Sequence, residues 1–105
     1  VILQAEERIE VGDLAGLGER TSLIDSDHDH DGGDRSFWEL GARSEPVVVG
    51  RNAWVGANSV ILRGARVGRN SVVGAGSVVT AGDHPPGWLI VGAPARAIRA
   101  LGQPN

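Results

Sequence analysis

Three histidines are present, and two of them lie in a run where acid and imidazole alternate, Asp25-Ser26-Asp27-His28-Asp29-His30-Asp31. An imidazole with a pKa near its reference of about 6.5 can act as a general base at neutral pH. Flanking carboxylates can orient such a ring or raise its pKa. The alternation is also a candidate divalent-ion site, and Asp25, Asp27, Asp29, Asp31 and Asp34 can accept hydrogen bonds from a polyol. The third histidine stands apart in Asp83-His84-Pro85-Pro86. Cysteine is absent, which removes disulfides, thiol nucleophiles and Cys-ligated metals, and no Ser-His-Asp order stands out. Zinc needs closely arranged ligands, and a pair of histidines two apart on one loop without a third elsewhere argues against it, so no metal is expected.

Charge divides the chain. Residues 1–46 hold twelve acids and four Arg (−8), whereas residues 47–105 hold one acid, Asp83, and six Arg (+5). The positive second half suits a polyanionic ligand such as a nucleotide cofactor. The net charge of −3 and the lack of a basic run argue against nucleic acid. No apolar stretch approaches the roughly 20 residues of a membrane span. With no Cys and no visible signal peptide, a reducing, cytoplasmic setting is expected. A first residue of Val in place of Met fits a fragment or a processed chain.

The elements that must position these groups follow from a repeat of six. Val49, Val55, Ile61, Val67, Val73 and Val79 are each six apart. Gly50, Gly56, Gly68 and Gly74 follow four of them, and Ala53, Ser59, Ala65, Ser71 and Ser77 stand four places on. Six is a multiple of the strand period of two, yet a Gly in each unit forbids long strands and costs a helix about 1 kcal/mol apiece. Short strands and tight corners remain, three to a coil, with coils stacked in parallel, the aliphatic inside and Gly permitting the corner. Val11, Leu17 and Leu23 repeat earlier in a different phase, and between Asp25 and Pro46 the periodic aliphatics vanish. That segment reads as a long excursion carrying most of the charge and the pair Phe37-Trp38, expected to dock on a neighbouring subunit or on its own coil. The pattern loosens at Ala81–Gly87. Ala95–Leu101 is rich in helix formers, and a short amphipathic helix is expected to cap the solenoid.

The chain therefore divides into N-terminal coils (1–24), an extruded active-site loop (25–46), C-terminal coils (47–94) and a capping helix and tail (95–105). Asn52-Ala53-Trp54-Val55-Gly56, Val73-Gly74-Ala75-Gly76-Ser77-Val78-Val79-Thr80 and Gly92-Ala93-Pro94-Ala95-Arg96, in that order, resemble the hexapeptide-repeat acyltransferases, in particular the maltose/galactoside O-acetyltransferase branch. The resemblance implies an all-β, left-handed parallel β-helix, a homotrimer with sites between subunits, and transfer of an acetyl group from acetyl-CoA to a hydroxyl of a sugar or glycan precursor. In that family the catalytic His stands sixteen residues after a repeat glycine, and counting from Gly12 reaches His28, with His30 open as the alternative. Acceptor contacts are expected at Asp25, Asp27 and Glu6. Carried over residue by residue, Trp54 and Ala57 fall near the thioester, Ala75 and Thr80 along the pantetheine arm, and Arg96 and Arg99, on one face of the expected helix, at the phosphates. Ala81 replaces a common Lys, and His84 replaces an aliphatic and is expected to have no role. The chain begins inside the repeat, so acceptor groups that relatives take from earlier coils can be missing. The remaining readings are transfer to an amine of an amino sugar or to serine, a non-catalytic trimerising module, and a metal-dependent hydratase.

Overall fold

The computed structural model describes residues 1–102. Four coils run along the chain. The first holds β1 (Ile2–Gln4), β2 (Ile9–Val11) and β3 (Gly16–Leu17). The second opens with β4 (Ser22–Ile24), is interrupted by β5 (Ser26–His28), α1 (Phe37–Leu40) and β6 (Ala42–Ser44), and resumes with β7 (Val47–Val49) and β8 (Trp54–Val55). The third holds β9 (Val60–Ile61), β10 (Ala65–Val67) and β11 (Val72–Val73), and the fourth β12 (Val78–Val79), β13 (Gly82–His84) and β14 (Trp88–Gly92), followed by β15 (Ala95–Ala100). Strands pair between coils into three faces of a prism: β1-β4-β9-β12, β2-β7-β10-β13 and β3-β8-β11-β14-β15. All the pairings between successive coils are parallel.

The repeat aliphatics fill the prism. Val49, Val55, Ile61, Val73 and Val79 have no exposed surface and Val67 only 2%. Burying each contributes roughly 1.5–3 kcal/mol before entropy is counted. The small-residue register is also buried, and its hydroxyls tie the corners: Ser77 Oγ donates to Gly74 O at 2.7 Å, Thr21 Oγ1 to Gly18 O at 2.8 Å, and Ser71 Oγ to Pro85 O at 2.6 Å. The two phases of the repeat meet across the interruption. Val11 pairs with Val49, 38 residues on, whereas Val49 pairs with Val67, 18 residues on.

Two expectations need correction. The glycine after each aliphatic is not the corner residue. A Cβ on Gly50 or Gly56 would lie 2.6 Å from the backbone N of Arg69 or Ala75 in the next coil, so these glycines let the coils approach. The left-handed corner lies two places further on and is held by Asn52, Asn58 and Asn70, with φ of 58°, 62° and 62°, and elsewhere by Leu14, Arg20, Gly64 and Gly76. Asn tolerates this region because its short amide bonds locally. The C-terminal segment is not a helix either. Ala95–Ala100 is β15, antiparallel to β14. Six residues are too few to nucleate a stable helix, whereas β14 offers an open edge whose backbone groups need partners. Ala95 is buried, and Ile98, expected on the apolar helix face, is 56% exposed. Residues 103–105 of the expected cap and tail lie outside the described residues. The loosened stretch before it forms β13, one residue short: Val67 pairs with His84, 17 on. His84 takes the place of an inward aliphatic, and its Nε2–H donates to Thr80 O at 2.8 Å.

Candidate functional site

The interruption leaves the prism at the edge between its first and second faces, and Asp25 is its root. Asp25 has no exposed surface. Its Oδ1 accepts from Glu6 N and its Oδ2 from Glu7 N and Arg8 N, each at 2.7 Å. Burial acts to raise its pKa, but the backbone donors prevail and hold the carboxyl below its ordinary value. The expected acceptor contact at Asp25 is thereby corrected: its oxygens bind the turn between β1 and β2 and present nothing to a ligand. The backbone of Asp25 continues the same tie, accepting from Glu45 N at 2.9 Å, where the excursion returns.

Beyond this root β5 and β6 form an antiparallel hairpin, with His28 opposite Ala42. A cavity of ≈ 430 Å³ opens beside it, bounded by Gln4, Glu6, Ser26, Asp27, His28, Ala42, Arg43 and Ser44. His28, Asp27 and Glu6, three of the residues singled out from the sequence, thus share one hollow. His30 does not: it borders a separate depression with Asp31, Gly32, Gly33 and Phe37. Neither carboxylate next to His28 is turned to the ring. Asp27 accepts from Arg63 Nε at 3.3 Å, and Asp29 accepts from Arg43 Nε at 2.6 Å. Instead the imidazole lies 5.0 Å from the ring centres of both Phe37 and Trp38. Within the chain the aromatic pair therefore packs on its own excursion and not on its own coil.

Arg63, Arg43, Ser44 and Gln4 escaped the sequence reading. Arg63 joins both legs of the hairpin, since its Nη1 also bonds Glu45 Oε1. A signal existed: Glu45 and Arg63 are 18 residues apart, one coil, so the period stacks them on one edge. No group of three or more His, Asp or Glu among the described residues is arranged to hold a metal.

The residues carried over for the cofactor lie elsewhere. Trp54 is 48% exposed on the third face, where it pairs with Val72 in the next coil. Val72 pairs with Leu89, and Leu89 with Arg99. Arg96 pairs with Val91. Residues 89 and 91 share a face, and a bulge between Leu89 and Ile90 brings Arg96 and Arg99, three apart, to that same side although the expected helix is absent. Ala57 and Ala75 stack at the edge between the third and first faces, where Gly76 N donates to Ala57 O at 2.9 Å. Thr80 follows β12 on the excursion's own edge, two coils beyond it. In a three-sided prism the edge between two faces is opposite the third. His28 with its cavity and the Trp54-Arg96-Arg99 face therefore lie on opposite sides of one chain.

Residues 46–81 match the family model described as the hexapeptide repeat of succinyl-transferase. No curated protein matches the chain. Among solved structures, the chain is similar to a galactoside acetyltransferase in complex with coenzyme A, at 32% identity and a TM-score of 0.84, over 95% of this chain and 48% of that one. It is similar to AntD, an N-acyltransferase from Bacillus cereus in complex with dTDP and coenzyme A, at 26% identity and 0.78, over 89% and 52%. A maltose O-acetyltransferase from Clostridium difficile 630 aligns at 25% identity and 0.71, over 98% and 68%. The chain thus spans about half the length of the first two.

Proposed function

The chain has the left-handed parallel β-helix fold of the hexapeptide-repeat acyltransferases, and from that premise we propose that it moves an acetyl group from acetyl-CoA directly to a hydroxyl of a sugar or glycan precursor. His28 is the base. The observation that carries this assignment is the cavity it shares with Asp27 and Glu6, from which His30 is absent. The acceptor hydroxyl oxygen attacks the thioester carbonyl while the imidazole takes its proton. A backbone N–H at Ala57 holds the oxyanion. The intermediate then collapses, the C–S bond breaks, and the leaving thiolate takes the proton back from the imidazolium. No covalent enzyme intermediate forms. Trp54 and Ala57 flank the thioester, Ala75 and Thr80 the pantetheine arm, and Arg96 and Arg99 the phosphates, whose charge they match.

The opposite placement of the two residue sets supports a site shared between copies, and the assembly we propose is a homotrimer with three such seams. One copy would bring the His28 cavity, and its neighbour the Trp54-Arg96-Arg99 face. A cytoplasmic location follows in this reading from the use of acetyl-CoA. The likeness to AntD keeps N-acylation of an amino sugar as the second reading.

The test is thiol release from acetyl-CoA with a panel of maltose, methyl galactosides, amino sugars and serine. His28→Ala is expected to lower kcat by about 10²–10⁴-fold. A loss under about tenfold, with the large loss in His30→Ala, would move the base to His30. A preference for amino sugars over the sugars would replace O-transfer by N-transfer.

A further inference from the structure

We infer that Phe37 and Trp38 are positioning residues that fix the His28 imidazole, a role that rests on His28 being the base. A catalytic imidazole is useful only if its ring is held at the angle that meets the proton, and a carboxylate commonly holds it. Here both adjacent carboxylates are engaged by arginines, Asp27 with Arg63 and Asp29 with Arg43. Among the described residues, the His28 side chain has no hydrogen-bond partner, whereas His84 has one. What does flank the ring is aromatic. Phe37 meets it at 5.0 Å and an interplanar angle of 59°, and Trp38 at 5.0 Å and 71°, both within the range of tilted and edge-to-face pairs. The two aromatic rings hold each other at 4.8 Å.

The local sequence builds this bracket. Ser36 caps the single turn α1, its Oγ accepting from Trp38 N at 3.2 Å. The β5–β6 ladder is prolonged by Asp29 N donating to Gly41 O at 3.0 Å. The turn is thereby folded over the end of β5, with consecutive aromatics on one ring. Neither residue is anchored in the prism core: Phe37 is 39% and Trp38 74% exposed. Two large aromatics left this open contribute little to folding the coils, and what they contact is the imidazole. His30 meets only Phe37, at 6.1 Å.

The difference between the two histidines supplies the test, in the intact protein. Histidine ring protons are read by NMR with isotope-labelled histidine. Trp38→Ala is expected to move the His28 signals towards those of a solvated ring and leave His30 in place, whereas Phe37→Ala moves both. Equal movement of His28 and His30 in Trp38→Ala would mean that the loop melts as a whole, and unmoved His28 signals would mean no bracket; either overturns the inference. With acetyl-CoA and maltose or methyl β-galactoside, Trp38→Ala is expected to lower kcat by about 10–100-fold, the scale of a misplaced catalytic group. KM for both substrates stays within about twofold and Trp38→Phe recovers most of the rate. Added to His28→Ala, Trp38→Ala lowers the rate no further if it acts through that ring. A further drop, or a raised KM with unchanged kcat, would make Trp38 an acceptor platform and refute positioning. Full activity of His28→Ala would instead refute the base assignment, and the NMR arm, which needs no acceptor, would still judge the bracket.

Discussion

Asp25 is where a single atom-level change tests how the excursion is held. In Asp25→Asn the volume is kept but one oxygen becomes an NH2 group. The carboxylate satisfies three backbone donors, one on Oδ1 and two on Oδ2. The amide can turn its one oxygen to the Glu7 and Arg8 pair, which sets its NH2 against Glu6 N–H, or the reverse. Either way at least one donor faces a donor and the other bonds lose their charge assistance. With charge-assisted bonds contributing about 1.5–3 kcal/mol and neutral ones about 1, the loss is about 3 kcal/mol. At roughly 4–8 °C per kcal/mol, Tm falls by about 10–25 °C. The sign of the pH dependence also follows. The folded pKa of Asp25 lies below its ordinary value of 3.8, so its stabilisation is fully present above that pH and is lost as pH falls through the folded value. Urea unfolding at fixed protomer concentration, between pH 6 and about 3, measures it. The wild type is expected to lose more stability than Asp25→Asn on acidification. Parallel curves for the two proteins would refute the reasoning.

Two further predictions separate the close approach of the coils from the left-handed corner. Gly56→Ala puts a Cβ 2.6 Å from Ala75 N and 2.9 Å from Val73 O, backbone atoms that cannot yield separately, and is expected to cost about 2–3 kcal/mol in urea titrations; a cost under about 0.5 kcal/mol would mean that the coils can separate freely. Leu14 stands at a left-handed corner with φ 63° and is 71% exposed. Leu14→Asn, the residue its counterparts Asn52 and Asn70 use, is expected to raise stability by about 0.5–1 kcal/mol, and a lower Tm would show that the Leu side chain contributes at that end.

The prism was legible because its rule is local and repeated. Each step of six returns a side chain to the interior, so the Val49–Val79 series marks the core in any order of coils. The corners were less so, since close approach and left-handed φ both select small residues, and only coordinates separate Gly50 from Asn52. The end of the chain misled because Ala and Arg favour a helix in isolation, while the open edge of β14 decides the matter through pairing. The excursion lay furthest from the sequence. Its acidity pointed to ligand contacts, yet Asp25 serves three amides some 17–19 residues back and Asp27 serves Arg63. Those partners are distant in sequence and set by where the hairpin leaves the prism. The meeting of His28 with Phe37 and Trp38 depends likewise on a turn nine residues on.

Subunit complementation tests the shared site most directly. His28→Ala and the double variant Arg96→Glu/Arg99→Glu are each expected to be inactive alone. Unfolded together in equal amounts and refolded, random assembly gives about a quarter of seams an intact imidazole from one copy and intact arginines from its neighbour. Thiol release at about a quarter of the wild-type rate is the predicted result. A refolded mixture as inactive as either parent would place both sets of residues in the same chain's site and contradict the account.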